Sequence, residues 1–136
     1  MNRLFRLSGA THRDPNVDAW LNAAPDELHA IASRWFAQMR ACGDDVRELI
    51  HDGCATACVE DAAFAYVGIF RSHVNVGFYN GAALDDPACL LAGRGKRMRH
   101  VKLMPYTDPS SALSDLITAA YLDIKVQLDL ERPLAR

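Results

Sequence analysis

The fold is decided by residues 66–103, which read YVGIFRSHVNVGFYNGAALDDPACLLAGRGKRMRHVKL. At the start of this stretch, aromatic and aliphatic residues alternate through residues 64–70, and apolar and polar residues alternate through residues 73–79. Successive side chains of a strand point to opposite faces, so both segments are typical of strands, and Arg71-Ser72 between them is short enough for an antiparallel hairpin. Residues 98–103 alternate in the same way. We predict that these segments are strands of one mainly antiparallel sheet.

The segments that join these strands carry turn and helix signals. Asn80-Gly81 ends the second strand, and Asp86-Pro87 predicts a short helix to about Leu91, with Asp86 as its cap. Upstream, Asp52-Gly53 is a turn dipeptide. It lies between two further candidate strands, residues 46–50 and 54–59.

Helices are indicated on both sides of the strand region in the sequence. Their starts combine an aspartate with a proline, at Asp14-Pro15, Pro25-Asp26 and Asp108-Pro109. In the second helix the apolar residues recur at i, i+3 and i+4, so we expect Trp35 and Phe36 on that face to be largely buried. Helices, then strands, then a helix predict an α+β fold, a small two-layer domain whose N- and C-terminal helices cover the sheet.

Length and composition restrict the class of protein. The chain has 136 residues, of which 50% are hydrophobic, which suits one domain. We assign residues 1–13 to an N-terminal tail and residues 14–136 to the domain. The net charge of -2 argues against a dedicated nucleic-acid binder. No apolar run approaches the ~20 residues that cross a bilayer, and the N-terminus lacks the apolar core of a signal peptide. We therefore expect a cytoplasmic protein without nucleic-acid or membrane partners.

The cysteines do not form a recognisable metal or redox motif. Cys42, Cys54, Cys58 and Cys89 are expected to be reduced thiols in the cytoplasm. His51-x2-Cys54-x3-Cys58 lacks the paired spacing of structural zinc sites, so we predict structural thiols and no metal site, with a metal or redox role as the alternative. The chain also has no nucleophile elbow, no HExxH and no convincing Ser/His/Asp or Cys/His set. We predict no catalytic residue and no cofactor.

Residues 64–103 contain a specific series of short motifs. In order these are HV-x-V-x-F from His73, GA-x-L-x-DP from Gly81 and LL-x-G-x-GK-x-MRHVKL from Leu90. Together with VRELIHDG at residues 46–53 and LITAAY at residues 116–121, the series resembles the YdhG-like domain of unknown function over most of the chain from about residue 15. The resemblance implies a small α+β fold grouped with the YdhG/YjbR/CyaY-like proteins. It brings no agreed catalytic residues, and some relatives carry a frataxin-like iron-chaperone label. Arg94 departs from the pattern, because many relatives have a small residue there.

The segment 93–102 concentrates positive charge beside two glycines in a net-acidic chain. Its Gly93-x-Gly95-Lys96 loop is not a P-loop, but glycine backbone N–H groups can form an anion-binding nest. Strand alternation places Arg99 on the face of Val101 and Leu103, so we expect Arg99 to be partly buried and to need a carboxylate partner. Lys96, His100 and Lys102 then face outward. The alternative is a turn that leads into a solvated edge strand. We predict that the segment lines a concavity and contacts an anionic or polar ligand through Gly93, Gly95, Lys96, Arg97, Arg99, His100 and Lys102.

Three hypotheses about function follow from these observations. The first is a non-enzymatic domain that binds a small anionic or polar ligand or a protein partner, which the lack of a catalytic set favours. The second is a frataxin-like intracellular iron chaperone. Iron favours clustered carboxylates, and we expect weak iron binding because the close group is only Asp44, Asp45, Glu48 and Asp52. The third is an enzyme of unrecognised type that acts on an anionic substrate. The oligomeric state stays open, with a homodimer as one option.

Overall fold

The computed structural model describes residues 4–132, apart from the side chain of Ser110, and this part of the chain forms an α+β fold. Five strands follow one another as a meander in the order β1-β2-β3-β4-β5, and each neighbouring pair is antiparallel. The predicted fold class is confirmed. The elements are α1 (Pro15–Leu21), α2 (Glu27–Arg40), β1 (Val46–His51), β2 (Cys54–Val59), β3 (Ala62–Ile69), β4 (Val74–Phe78), a 3-10 turn (Gly81–Ala83), β5 (Arg99–Leu103) and α3 (Ser110–Glu131).

The two N-terminal helices begin where their aspartate caps predict. The carboxylate of Asp14 accepts a hydrogen bond from the backbone N–H of Asn16 at 2.9 Å, and that of Asp26 accepts one from His29 at 2.8 Å. Each bond satisfies a donor that the first helical turn leaves without an intrahelical partner. The caps therefore fix the entry points of α1 and α2.

The helices cover one face of the sheet and leave the other face open. Trp35 and Phe36 of α2 are 2% and 0% exposed, as expected from the apolar spacing. They belong to one hydrophobic core with sheet residues such as Val67 and Val76, which are paired across β3 and β4. Because side chains alternate along a strand, Tyr66 next to Val67 points away from the helices. This second face of the sheet forms the cavity described below.

A buried ion pair holds α1, α2 and β1 together. Glu48 of β1 is 1% exposed, and its carboxylate accepts two hydrogen bonds from the Arg40 guanidinium, at 2.8 and 2.7 Å. The Arg40 Nη2 also donates to Asp18 of α1 at 2.9 Å, and the backbone N–H of Asp14 donates to Glu48 at 3.2 Å. The bonds to Glu48 and then to Asp18 raise the pKa of Arg40, and the bond from Arg40 lowers the pKa of the Asp18 carboxyl.

The prediction of a short helix starting at Asp86-Pro87 is wrong. Residues 86–91 form a turn, in which the Asp86 carboxylate accepts hydrogen bonds from the backbone N–H groups of Leu90 at 2.9 Å and Leu91 at 2.8 Å. Cys89 has a φ of 56°, a left-handed conformation that a right-handed helix cannot contain. Asp86 and Pro87 are therefore turn residues, because an aspartate–proline pair is typical of turns as well as of helix starts.

The segment assigned to the tail is bound to the sheet where the structure describes it, from residue 4 onward. The Leu7 N–H donates to the Asp61 carbonyl at 2.7 Å, and the Ala63 N–H donates to the Phe5 carbonyl at 2.9 Å. Thr11 and Glu48 exchange two backbone hydrogen bonds, at 3.0 and 2.7 Å. The lead-in is irregular, as expected, but it crosses the sheet edge instead of standing in solvent. Residues 1–3 and 133–136 lie outside the described residues.

Candidate functional site

A cavity of about 370 Å³ opens on the sheet face that the helices leave uncovered. This volume falls within the range of ligand pockets, which starts at roughly 300 Å³. Its walls combine aromatic rings from four parts of the chain with a few polar groups. The aromatic rings are those of Phe5, Tyr66, Phe70 and Tyr79, and the remaining lining residues are His51, Asp52, Cys54, Arg97 and Met98.

Two glycines shape the floor of the cavity. A Cβ on Gly77 would lie 1.9 Å from Cε2 and 2.1 Å from Cζ of Tyr66, so the Tyr66 ring lies directly over the backbone of β4. A Cβ on Gly68 would lie 3.0 Å from the Cys54 sulfur and 3.3 Å from the Phe70 ring. Glycine within a strand commonly marks such a close approach. Any larger residue at position 77 would occupy the place of the Tyr66 ring.

The aromatic walls are joined by ring contacts. Phe5 stacks on Tyr79 with ring centroids 5.0 Å apart, and its other contact is edge-to-face with His51 at 5.4 Å. Tyr66 meets Tyr79 edge-to-face at 5.7 Å. On the far side, Phe70 stacks on the His73 ring at 4.9 Å. These distances are those of favourable aromatic pairs, so the rings support one another around the opening.

The lining hydroxyl and thiol groups are uncharged near neutral pH. Burial raises the pKa of Tyr79 to about 12, against a lowering effect of its hydrogen bond with Thr56. Burial also raises the pKa of Tyr66, and burial together with the charge of Asp52 raises the pKa of Cys54. A thiol with a raised pKa is a poor nucleophile, because the thiolate is the reactive form. The cavity therefore presents a binding surface with the charged groups of Arg97 and Asp52, and not an activated nucleophile.

The structure separates the residues predicted for the site. Arg97 lines the cavity, next to Met98. Lys96 and Lys102 are exposed, and His100 is half-buried with its backbone paired to Ala92. The prediction that Arg99 has a carboxylate partner is wrong. The Arg99 guanidinium donates instead to two backbone carbonyls, those of Gly95 and Met98, the latter at 2.7 Å. Of the two predicted glycines, Gly93 has a φ of +123° and both lie in an exposed loop beside Met98, outside the cavity lining.

Sequence reasoning missed the aromatic lining. The signal was available in Gly68 and Gly77, because a glycine within a strand indicates the close approach of another group. Phe5 carried no comparable signal, because nothing in an irregular lead-in indicates which sheet residues it packs against. Arg97 was named within the basic segment, but the other predicted residues of that segment do not line the cavity.

Metal and redox features of the described residues are few. Cys42, Cys54, Cys58 and Cys89 are all free thiols, and burial raises the pKa of Cys42 to about 11 and that of Cys58 to about 12. Across residues 4–132, no group of three or more His, Cys, Asp or Glu side chains is arranged to hold a metal ion. In the same range, no helix combines the length and apolar character needed to cross a bilayer.

Comparison with known proteins gives no match: no family model, no curated protein and no solved structure is significantly similar to this chain. The resemblance to the YdhG-like domain consequently rests on the sequence motifs alone.

Proposed function

We propose that this protein is a non-enzymatic binding domain that takes a small anionic ligand into the cavity on the open face of its sheet. The observation that carries the proposal is the cavity itself, with an apolar aromatic lining and a guanidinium among its few polar groups. Ligand sites commonly combine a mostly apolar lining with a small number of polar groups that orient the ligand. Arg97 is the group that would contact the anion, because a guanidinium offers several N–H donors in one plane.

The charges near Arg97 support an anionic ligand. The pKa of His73 is lowered by burial and then by the positive groups Lys102 and His100. A lowered histidine pKa reports an environment that disfavours positive charge. His73 stacks on Phe70, which lines the cavity, so the positive groups of β5 act close to the opening. In this proposal Lys102 attracts the ligand at long range, while Arg97 contacts it.

The remaining parts of the proposal come from the sequence. We propose a protein of the YdhG-like type, on the motif order in residues 64–103, and a cytoplasmic location, where the four free cysteines would stay reduced. The motifs fit the same fold, since HV-x-V-x-F lies on β4 and MRHVKL on β5. The proposal assigns these motifs to two neighbouring strands, and Tyr79 and Met98, which directly adjoin them in sequence, line the cavity.

A fragment screen with a matched pair of arginine variants tests the proposal. Carboxylate fragments and their neutral amides would be titrated into the ¹⁵N-labelled protein, followed by amide chemical shifts. We expect carboxylates to shift the amides of Cys54, Tyr66 and Gly77. Arg97→Gln should weaken binding about tenfold, the lower end for a charged hydrogen bond because the site is open to water. Arg94→Gln, in the exposed loop outside the cavity, is the control.

Two results of this screen would contradict the proposal. One is that no fragment of either type shifts the amides around the cavity. The other is that Arg97→Gln, shown to be folded by its own spectrum, binds the carboxylates as tightly as Arg94→Gln does.

A further inference from the structure

We infer that the body of the ligand is a flat aromatic ring that stacks on Tyr66. This inference rests on the proposed function, since it concerns the ligand of the same cavity. It adds the shape of the molecule to its charge. The ligand class is an aromatic acid: one planar ring system with a carboxylate or a similar anionic group at one end.

The position of the Tyr66 ring is the first argument. One face of the ring lies over Gly77, where a Cβ would be 1.9 Å from Cε2. The Tyr66 and Tyr79 rings meet at 65°, with their centroids 5.7 Å apart, so Tyr79 does not stack flat on the Tyr66 ring. Tyr66 is half-buried and lines the cavity, so the face opposite Gly77 borders the open space. An aromatic face held from behind by backbone is a rigid platform for a second ring.

Two other rings of the lining already use one face for a stacked pair. Phe5 uses a face against Tyr79, and Phe70 uses a face against His73. These pairs stand around the platform as walls. Offset and edge-to-face arrangements are the preferred ones for aromatic rings, so a planar ligand on Tyr66 would meet the walls edge-on. A saturated ring of the same size is thicker and has no quadrupole for these contacts.

The sulfur atoms of the lining also favour an aromatic ligand. Cys54 Sγ lies at the floor, next to Gly68, and the Met98 thioether lies beside Arg97. Sulfur makes favourable contacts at the edges of aromatic rings. Because Cys54 has a raised pKa, it contacts the ligand as a neutral thiol and does not repel an anion. In this arrangement the ring of the ligand stacks on Tyr66, and its acid group contacts Arg97.

The test uses two probes that differ only in the ring: 4-phenylbutyrate and 4-cyclohexylbutyrate. Their dissociation constants would be measured by amide shifts in the parent protein and in Tyr66→Leu, Tyr66→Phe and Tyr106→Leu. We expect the phenyl probe to bind about threefold to tenfold tighter in the parent, the range for an aromatic pair. The ratio of the two dissociation constants should approach one in Tyr66→Leu and stay at the parent value in Tyr66→Phe. Tyr106→Leu, which changes a tyrosine that is 84% exposed, should also keep it.

The outcomes separate this inference from the proposed function. If both probes shift the cavity amides with equal affinity in the parent, the ring inference is wrong and the anion site stands. If neither probe binds, the ring inference is wrong, and the carboxylate screen described above decides whether the anion site stands. If Tyr66→Leu fails to fold, the ratio in the parent and in Tyr66→Phe still decides, because a ratio of one in either protein overturns the inference.

Discussion

The ring of Tyr66 on β3 fills the space above Gly77 on β4 that any other side chain would need. Glycine weakens a strand by its conformational freedom and by its lack of a side chain to pack, so its presence at this position needs a reason. The reason is the close approach of the ring, which gives the open face of the sheet a flat aromatic floor.

Gly77→Ala tests this relationship through stability. The added Cβ would displace the Tyr66 ring, and we expect the free energy of unfolding to fall by about 1–2 kcal/mol. The value lies in the lower part of the overpacking range because the distal end of the ring can rotate away. Urea denaturation measures it. Gly95→Ala is the matched control, because its nearest neighbour would be the Met98 carbonyl oxygen at 3.8 Å. Equal stability of the two variants would contradict the packing described for Tyr66.

Removing the buried carboxylate at β1 should be strongly destabilising. Glu48→Ala leaves the Arg40 guanidinium without the two hydrogen bonds that it donates to this carboxylate. Loss of one partner of a fully buried ion pair costs about 3–5 kcal/mol, and we expect about 2–3 kcal/mol here because Arg40 is 21% exposed and keeps its bond to Asp18. Glu60→Ala, which breaks a pair with Arg132 whose side chains are 52% and 56% exposed, should cost less than about 1 kcal/mol. Similar midpoints in thermal unfolding for both variants would show that the Arg40–Glu48 pair is not a structural anchor.

Acid unfolding should depend on the contact between α3 and the start of β1. The Tyr121 hydroxyl donates to Asp45 at 2.5 Å, and this bond, with Lys125, lowers the pKa of the Asp45 carboxyl below its ordinary value of 3.8. A carboxyl with a lowered folded-state pKa stabilises the protein above its unfolded-state pKa, and that contribution is lost as pH falls through the folded-state pKa.

Tyr121→Phe should therefore raise the pKa of Asp45 toward 3.8 and make the pH dependence of stability shallower on the acid side. Carbon-13 NMR titration of the Asp45 carboxyl measures the first effect, and urea unfolding at a series of acidic pH values measures the second. An unchanged titration of Asp45 in the variant would contradict the assigned hydrogen bond.

The N-terminal segment should contribute to binding more than to stability. Phe5 is 45% exposed, yet it stacks on Tyr79 and forms one wall of the cavity. Phe5→Ala should weaken the binding of 4-phenylbutyrate severalfold, about the contribution of one aromatic contact. Leu130→Ala on α3 is the control, since it also removes an exposed apolar side chain, one that is 73% exposed. Equal affinities of the two variants would exclude a role for Phe5 in the site.

The parts of the fold that local patterns determine could be predicted from the sequence. Alternation set the strands, including the hairpin at Arg71-Ser72, and i, i+4 spacing set the burial of Trp35 and Phe36. The predictions that failed concern segments whose local pattern is compatible with more than one structure. Asp86-Pro87 is both a helix start and a turn signal, and the left-handed Cys89 selects the turn. The prediction of the site failed for a different reason. Phe5, Tyr66 and Arg97 are far apart in sequence, and only the folded sheet brings them to one opening.

The most direct test of the account is to locate a bound aromatic acid. Isotope-filtered NOE spectra of the labelled protein with unlabelled 4-phenylbutyrate report which protein protons lie within contact distance of the probe. We predict NOEs from the phenyl protons to the rings of Tyr66, Phe70 and Tyr79, and from the methylene next to the carboxylate to the Arg97 side chain. The result that would contradict the account is a set of NOEs confined to other surfaces, such as the exposed Leu122 and Val126 of α3, with none to Tyr66.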